Sequence, residues 1–215
     1  MLDFGCGAGE FLLAAVDAGL DAQGVDVAVE RQRQFHAAAA PAERGRFILY
    51  DGGILPLPSN DFDIGYSWFV FEHVQDIGQS LREIVRVLKP GALLYVAADD
   101  TRNAWDGHVR IPWPPFMPRR FARAYLSAFN LEDKAQYLEH SVVYVTTPQV
   151  ATTLTTLGCD ILSQTPDPAP AFCDGLYITD EASAELVGAS IKARFDAGEL
   201  GAPTYNLEIW ARKAP

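Results

Sequence analysis

A doubly wound α/β sheet with mostly parallel strands is the fold class this sequence predicts, on three observations. Strand-like apolar runs alternate with helical periods through residue 98. The first strand, 1–4, runs straight into a turn with glycine at Gly5, Gly7 and Gly9. A second short strand, 22–26, ends on an acid, Asp26. Glycines are needed where a chain turns with positive φ or where a ligand touches bare backbone. A helix that starts there aims its unpaired N–H groups at that ligand. Strand, glycine turn, helix, strand, acid is a nucleotide-binding half-fold.

The elements follow in order. A helix over 9–18 has Phe11, Leu12, Ala15 and Val16 at apolar positions and Gly19 as its stop. After strand 22–26, an Ala-rich helix over 28–39 puts Arg31, Arg33 and His36 on a solvated face. Strands at 46–50 and 62–67 come next, then a helix over 76–88 whose Leu81, Ile84, Val85 and Leu88 share one face. Lys89-Pro90-Gly91 breaks that helix, with a cation suited to its C-terminal dipole, and a strand at 91–98 follows. The stretch from Trp105 to Pro118 is rich in proline and aromatics and reads as a structured loop. Pro118 opens a short helix bearing Phe121, Tyr125, Leu126 and Phe129. Thr147-Pro148 caps another helix, with Val150, Leu154 and Leu157 inward and Gly158 as its stop. A strand at 160–164 leads into a loop holding Pro166, Pro168 and Pro170. Asp180 then opens a helix with Val187, Ile191 and Phe195 inward, and 205–211 alternates as a last strand.

Composition narrows the function. The length of 215 residues fits a single domain, 1–215, with a full core. No apolar run approaches the roughly 20 residues of a membrane span, and the start has no signal-peptide pattern. Cys6, Cys159 and Cys173 are too few and scattered for a disulfide framework or zinc site, so a reducing cytoplasm is expected. The net charge is −11, and the only basic cluster is Arg110, Arg119, Arg120 and Arg123. A nucleic-acid footprint needs more than that, so a small-molecule partner is expected and no nucleic acid.

The identity of the nucleotide turns on one position. A dinucleotide fingerprint counted from Gly5 requires glycine at position 10, where this chain has Glu10. An acid, Asp3, stands two residues before Gly5. That spacing resembles the first motif of class I S-adenosylmethionine-dependent methyltransferases. Asp61-Phe62-Asp63-Ile64-Gly65-Tyr66-Ser67-Trp68-Phe69-Val70-Phe71-Glu72-His73-Val74, followed by Leu81 to Leu94, resembles the fourth strand, fourth helix and fifth strand of the family that includes the ubiquinone and menaquinone methylases. The likeness covers residues 1–100 well and the remainder loosely. It implies a Rossmann-like sheet of seven strands, the last antiparallel, with an insertion after the fifth strand at 99–146 that binds substrate. It also implies helices ahead of the first strand that close over the cofactor. Here the strand starts at Met1, and a chain without that lid is the expectation.

Carried over by position, the resemblance places S-adenosylmethionine on a defined set of residues. Asp3, Gly5, Gly7 and Gly9 lie under its methionine and ribose, and Asp26 holds the ribose hydroxyls with Val27 beside the adenine. Asp51 receives the adenine amino group, Gly52 leaves room for the ring, and Ser67 and Trp68 border the methionine tail. Cys6 is a small filler of the turn. The Glu72-His73 pair joins a third acid to bind a metal in some quinone methylases, but that position is Phe69 here, so no metal is expected. His73 is then a residue beside the pocket and a candidate base, as is His108 in the loop. Asp99 and Asp100 are secondary candidates, and His140 is not expected to act.

The expected function is transfer of a methyl group from S-adenosylmethionine to a small-molecule acceptor. The cofactor supplies the reactivity, and the protein aligns the acceptor and excludes water. Trp105, Arg110, Trp113 and Phe116 are the expected acceptor wall, with Trp68, Trp105 and Trp113 as aromatic faces for a sulfonium. A nicotinamide-dependent oxidoreductase on a related half-fold is the alternative, as is a cofactor-binding protein without turnover.

Overall fold

The computed structural model describes residues 1–167, 177–203 and 206–215. In chain order the first elements are β1 (Leu2–Phe4), α1 (Glu10–Asp17), β2 (Gln23–Asp26), α2 (Val29–Ala38), β3 (Phe47–Leu49), β4 (Phe62–Trp68), α3 (Ile77–Val87) and β5 (Leu88–Ala98). Then come β6 (Trp105–Asp106), β7 (Ile111–Pro112), α4 (Ala122–Ser127), α5 (Ala135–Ser141), α6 (Thr147–Thr156), β8 (Cys159–Gln164), α7 (Glu181–Asp196) and β9 (Leu207–Lys213). They fall into two compact units.

The first unit takes Met1–Ala98, Thr147–Thr165 and Leu207–Pro215. Its seven-stranded sheet has the order β3-β2-β1-β4-β5-β9-β8. β1 to β5 pair in parallel, and β9 runs antiparallel to both β5 and β8. This is the doubly wound, mostly parallel sheet the sequence predicts, with the insertion leaving after β5. Against β2 and β3, α1 and α2 bury Leu12, Ala15, Phe35 and Ala39 with Cys6 and Phe47. Cys6 is indeed packing: it is buried, and burial pushes its thiol well above the usual range.

Two corrections concern α3 and its surroundings. The helix stops at Val87 and the strand begins at once with Leu88, not at position 91. Lys89 pairs with Asp63 at 2.9 Å, so it does not serve the helix end. Lys213 does that instead, donating from Nζ to the carbonyls of Val85 at 2.9 Å and Leu88 at 2.7 Å, where a cation meets the negative end of the dipole.

No helix forms among residues 50–61, and α3 itself anchors that stretch. Arg86 donates to the carbonyls of Leu57 and Leu55, both at 2.9 Å, and to Glu83. The buried Glu83 carboxylate accepts the Leu55 N–H at 2.9 Å. Arg86→Ala is expected to cost roughly 3 kcal/mol in urea unfolding, because it leaves Glu83 buried without its cation. Arg86→Lys should restore only part of it, since a point charge can meet Glu83 but cannot fork between two carbonyls as well. Wild-type stability in either variant would refute the clamp.

The second unit takes Asp99–Thr146 and Pro166–Asn206. It has its own core, in which α4 contributes Tyr125 and Leu126, α5 Leu138, and α7 Val187 and Ile191, with Trp113 and Met117. Helices α4 and α7 approach so closely that a Cβ on Gly188 would lie 2.7 Å from the Tyr125 carbonyl oxygen. The helix expected at Asp180 begins with a capping box, the Asp180 carboxylate accepting from Ser183 N–H at 2.7 Å. The stretch from 105 to 112, read as loop, is a two-stranded hairpin in which Trp105 pairs with Pro112 and Asp106 with Ile111. Helix α5 had no counterpart in the sequence reading. Pro168, Pro170, Cys173 and Tyr205 lie outside the described residues.

Candidate functional site

The glycine turn and the ends of β2 to β4 surround a cavity of about 620 Å³ in the first unit. Gly5, Gly7, Asp26, Val27, Asp51 and Gly52 line it, which brings six of the predicted residues to one place. The turn is held rigid from behind. A side chain on Gly5 would collide with Val70, and one on Gly9 with the Phe35 ring. Gly7, with φ +56°, has nothing within 4 Å of where its Cβ would be. The packed glycines set the turn, and the open one leaves backbone for a ligand to approach.

Asp26 is built into the same turn. Its Oδ2 accepts the Gly7 N–H and its Oδ1 the Ala28 N–H, both at 2.9 Å. A carboxylate offers about four lone-pair sites, so acceptor capacity is left over. Asp51 is exposed and orders its own turn by accepting the Gly53 N–H at 2.9 Å.

Asp3 is not on the cavity wall. It is 3% exposed, beside Tyr66 in the sheet register, and its Oδ2 has no hydrogen-bond partner among the described residues. Burial, and then the charge of Asp26, raise its pKa to about 7. A buried carboxyl in that state is a costly feature unless a cation or donor reaches it. Ser67 is likewise fully buried with an unpartnered Oγ among the described residues. Trp68 lies off the cavity. The β4 pleat turns it the other way, into a ring stack with Tyr66 and Tyr95 at centroid distances of 6.4 and 6.1 Å.

Several wall residues were not read from the sequence: Phe4, Arg31, Tyr50, Phe69, Val70 and Ser80. Phe69 has φ +53°, a conformation in which a bulky residue is an outlier. His73 is exposed and lines the cavity as well.

The acceptor candidates lie in the second unit. Asp106 is a buried hub that accepts the His108 and Val109 N–H groups, at 3.0 and 3.3 Å, and Arg119 at 3.0 Å. Its carboxylate also faces His108 Nδ1 at 3.3 Å. Burial pushes the Asp106 pKa up, but His108 and Arg119 outweigh it and hold it below the ordinary value. The Arg119 guanidinium lies 4.8 Å from the Trp113 ring centre and 4.5 Å from that of Tyr144. Trp113 is 2% exposed, a core residue that donates from Nε1 to the Tyr144 hydroxyl at 3.1 Å. Trp105 is half-buried, edge-on to Phe195. Arg110 and Phe116 are exposed, with φ of +56° and +58°. Asp100 is buried against Arg102 at 2.7 Å, and His140 is exposed. The Asp106-Gly107 pair, a hairpin signal in its own right, is what would have exposed the hub in the sequence.

A parallel sheet with β9 reversed, a glycine turn opening onto a cavity and an acid ending β2 define the class I, S-adenosylmethionine-dependent methyltransferase fold. Residues 2–96 match the methyltransferase domain family. It is similar to an uncharacterized methyltransferase of Mycobacterium leprae, 36% identical over 110 residues, covering 50% of this chain and 40% of that protein. It is also similar to the 2-methyl-6-phytyl-1,4-hydroquinone methyltransferase of Synechocystis, 30% identical over 104 residues, 48% of this chain and 33% of that one. The matches thus span less than half the length of these relatives. Among solved structures, an S-adenosylmethionine dependent methyltransferase from Mesorhizobium loti has the same fold. Its TM-score is 0.62 at 24% identity, over 99% of this chain and 89% of the other.

Proposed function

We propose that this protein binds S-adenosylmethionine in the first-unit cavity and transfers its methyl group to a small organic acceptor. The observation that carries the reading is the cavity wall on which the glycine turn, Asp26 and Asp51 come together. Behind it Asp3, two residues before the turn, holds a buried carboxyl with an unpartnered oxygen among the described residues. The methionine ammonium is the kind of group that carboxyl lacks. Asp26 accepts from the ribose hydroxyls with the capacity that Gly7 and Ala28 leave unused. Asp51 accepts from the adenine amino group between Val27 and Gly52, and Gly7 lets the cofactor lie against backbone. Ser67 borders the methionine end. When bound, S-adenosylmethionine supplies an activated methyl that moves by in-line displacement. The protein's part is to hold the acceptor in line and keep water out.

For the acceptor side, we assign the insertion that begins at residue 99. Arg110 and Phe116 are exposed and held at positive φ, backbone strain of a kind that clusters at functional sites. His108, fixed against Asp106, is the proposed proton acceptor, with His73 the second candidate. Trp113 acts through packing, while Trp105 and Phe116 offer rings. The relatives' acceptors include a hydroquinone, and an apolar ring bearing a hydroxyl suits this aromatic lining. A cytoplasmic setting accords with the unpaired Cys6 and Cys159; no described helix is long and apolar enough to cross a membrane.

Calorimetry with S-adenosylhomocysteine tests the cofactor, with NADH as the control for a nicotinamide enzyme. No binding of S-adenosylhomocysteine by the folded protein, or binding of NADH in its place, sinks the reading. Once an acceptor is found in a methylation panel, His108→Ala and Arg110→Ala should each lower turnover by roughly 10²-fold or more. S-adenosylhomocysteine affinity should stay unchanged. Full turnover in both variants would move the acceptor site elsewhere.

A further inference from the structure

The two carboxylates at the nucleoside end of the cavity, Asp26 and Asp51, leave a chemical gap. Ionised carboxylates only accept hydrogen bonds. They serve the donors of a nucleoside, its hydroxyls and amino group, and do nothing for its acceptors, the ring nitrogens and ring oxygen. A purine nucleoside buried against acceptors alone would lose its own water-made hydrogen bonds without replacement, which costs binding. A side-chain donor beside the two acids would serve those acceptors.

Tyr50 is placed to be that donor. It directly follows β3 and precedes Asp51, and its backbone N–H donates to the Asp26 carbonyl at 3.1 Å. This ladder bond seats it beside the acid that ends β2. The residue is half-buried, lines the cavity, and lies beside the Phe4 ring at a centroid distance of 6.4 Å. Among the described residues its hydroxyl has no hydrogen-bond partner. Burial, then the charges of Asp26 and Asp51, push its pKa up to about 12. The hydroxyl therefore keeps its proton at any working pH. Its backbone bond to Asp26, its place next to Asp51 and its share in the same cavity wall set it among the groups assigned to the nucleoside. Arg31, His73, Gln75 and Ser80 also bring side chains that can donate to the cavity. Arg31, however, is exposed and donates to Gln34 at 3.1 Å, and of these only Tyr50 is laddered to Asp26 and adjacent to Asp51.

We infer that Tyr50 is a binding residue for the nucleoside, donating its hydroxyl proton to an acceptor atom of the base or ribose. This rests on the cofactor reading above and adds a contact that neither the glycine turn nor the acids supply.

Tyr50→Phe keeps the ring and removes only the hydroxyl. It is titrated by calorimetry against S-adenosylhomocysteine and against 5′-methylthioadenosine, which lacks the amino-acid portion. Wild-type and variant melting temperatures without ligand should agree. Both ligands should weaken by the same factor, roughly three- to tenfold, the worth of one neutral hydrogen bond. Tyr50→Ala should weaken both further through loss of the ring. Unchanged affinity in Tyr50→Phe, or a loss confined to S-adenosylhomocysteine, overturns the inference. If wild type binds 5′-methylthioadenosine but not S-adenosylhomocysteine, the cofactor reading fails while a loss in Tyr50→Phe still supports Tyr50. If it binds neither, both fall.

Discussion

Asp26→Ala is expected to reduce S-adenosylhomocysteine binding by between 10² and 10⁴-fold, the largest effect of any single substitution in the cavity. Two hydroxyls lose a charged acceptor, at roughly 1.5–3 kcal/mol each. The glycine turn suffers too, since the Gly7 and Ala28 N–H groups lose the oxygens that hold them at 2.9 Å. Asp26→Asn separates the two effects. Its single carbonyl oxygen can still serve one N–H, so the turn is better preserved while a ribose hydroxyl goes unmatched. An intermediate loss is therefore expected. The check is a titration series across wild type and both variants, with folding verified by circular dichroism. Binding in Asp26→Ala within threefold of wild type would show that some other group holds the ribose.

The second large effect is a pH dependence with opposite signs for folding and for binding, and it comes from Asp3. Its carboxyl has a pKa of about 7 in the fold against 3.8 when unperturbed. Between those values the folded protein keeps a proton that the unfolded chain has released. The stability it contributes is complete below about pH 4 and is lost as pH rises toward 7, by roughly 4 kcal/mol in total. Asp3→Asn cannot ionise, so without ligand it should be more stable than wild type at pH 8 and lack that slope. Binding runs the other way. A ligand ammonium favours the ionised carboxylate, so wild-type affinity should climb as pH rises to about 7 and then level off. In Asp3→Asn the affinity should be lower by roughly 10- to 100-fold at pH 8 and independent of pH in this range. Thermal melts and calorimetry between pH 5.5 and 8 supply both curves. Flat wild-type curves, or an Asp3→Asn variant that binds like wild type, would remove Asp3 from the cofactor site.

Much of the site was legible because its logic is local. The glycines at 5, 7 and 9, the acid at Asp26 and the Asp51-Gly52 turn mark strand ends in a parallel sheet, and strand ends gather at one edge. Five of these residues, Gly5, Gly7, Asp26, Asp51 and Gly52, line one cavity. Tyr50 was not legible, because a tyrosine closing a strand looks like packing until the neighbouring strand places Asp26 beside it. The side chains of Ser67 and Trp68 show the same limit. They are adjacent in sequence, but the pleat sends one into the buried interior and the other into a stack of rings.

The sequence by itself determined the sheet, its helices and the nucleotide half-fold, because apolar periodicity and glycine punctuation act over a few residues. Tertiary structure alone decided what depends on residues far apart in the chain. Lys213 rather than Lys89 meets the end of α3. Arg86 ties down the chain at Leu55 and Leu57, and Asp106 gathers His108 and Arg119 around a buried carboxylate. The state of Asp3 belongs to this second class as well. Its sequence context reports an acid at a strand end, whereas burial and the nearby Asp26 set its proton affinity. Desolvation and charge coupling are properties of the packed volume around a group, and no window of neighbouring residues contains that volume.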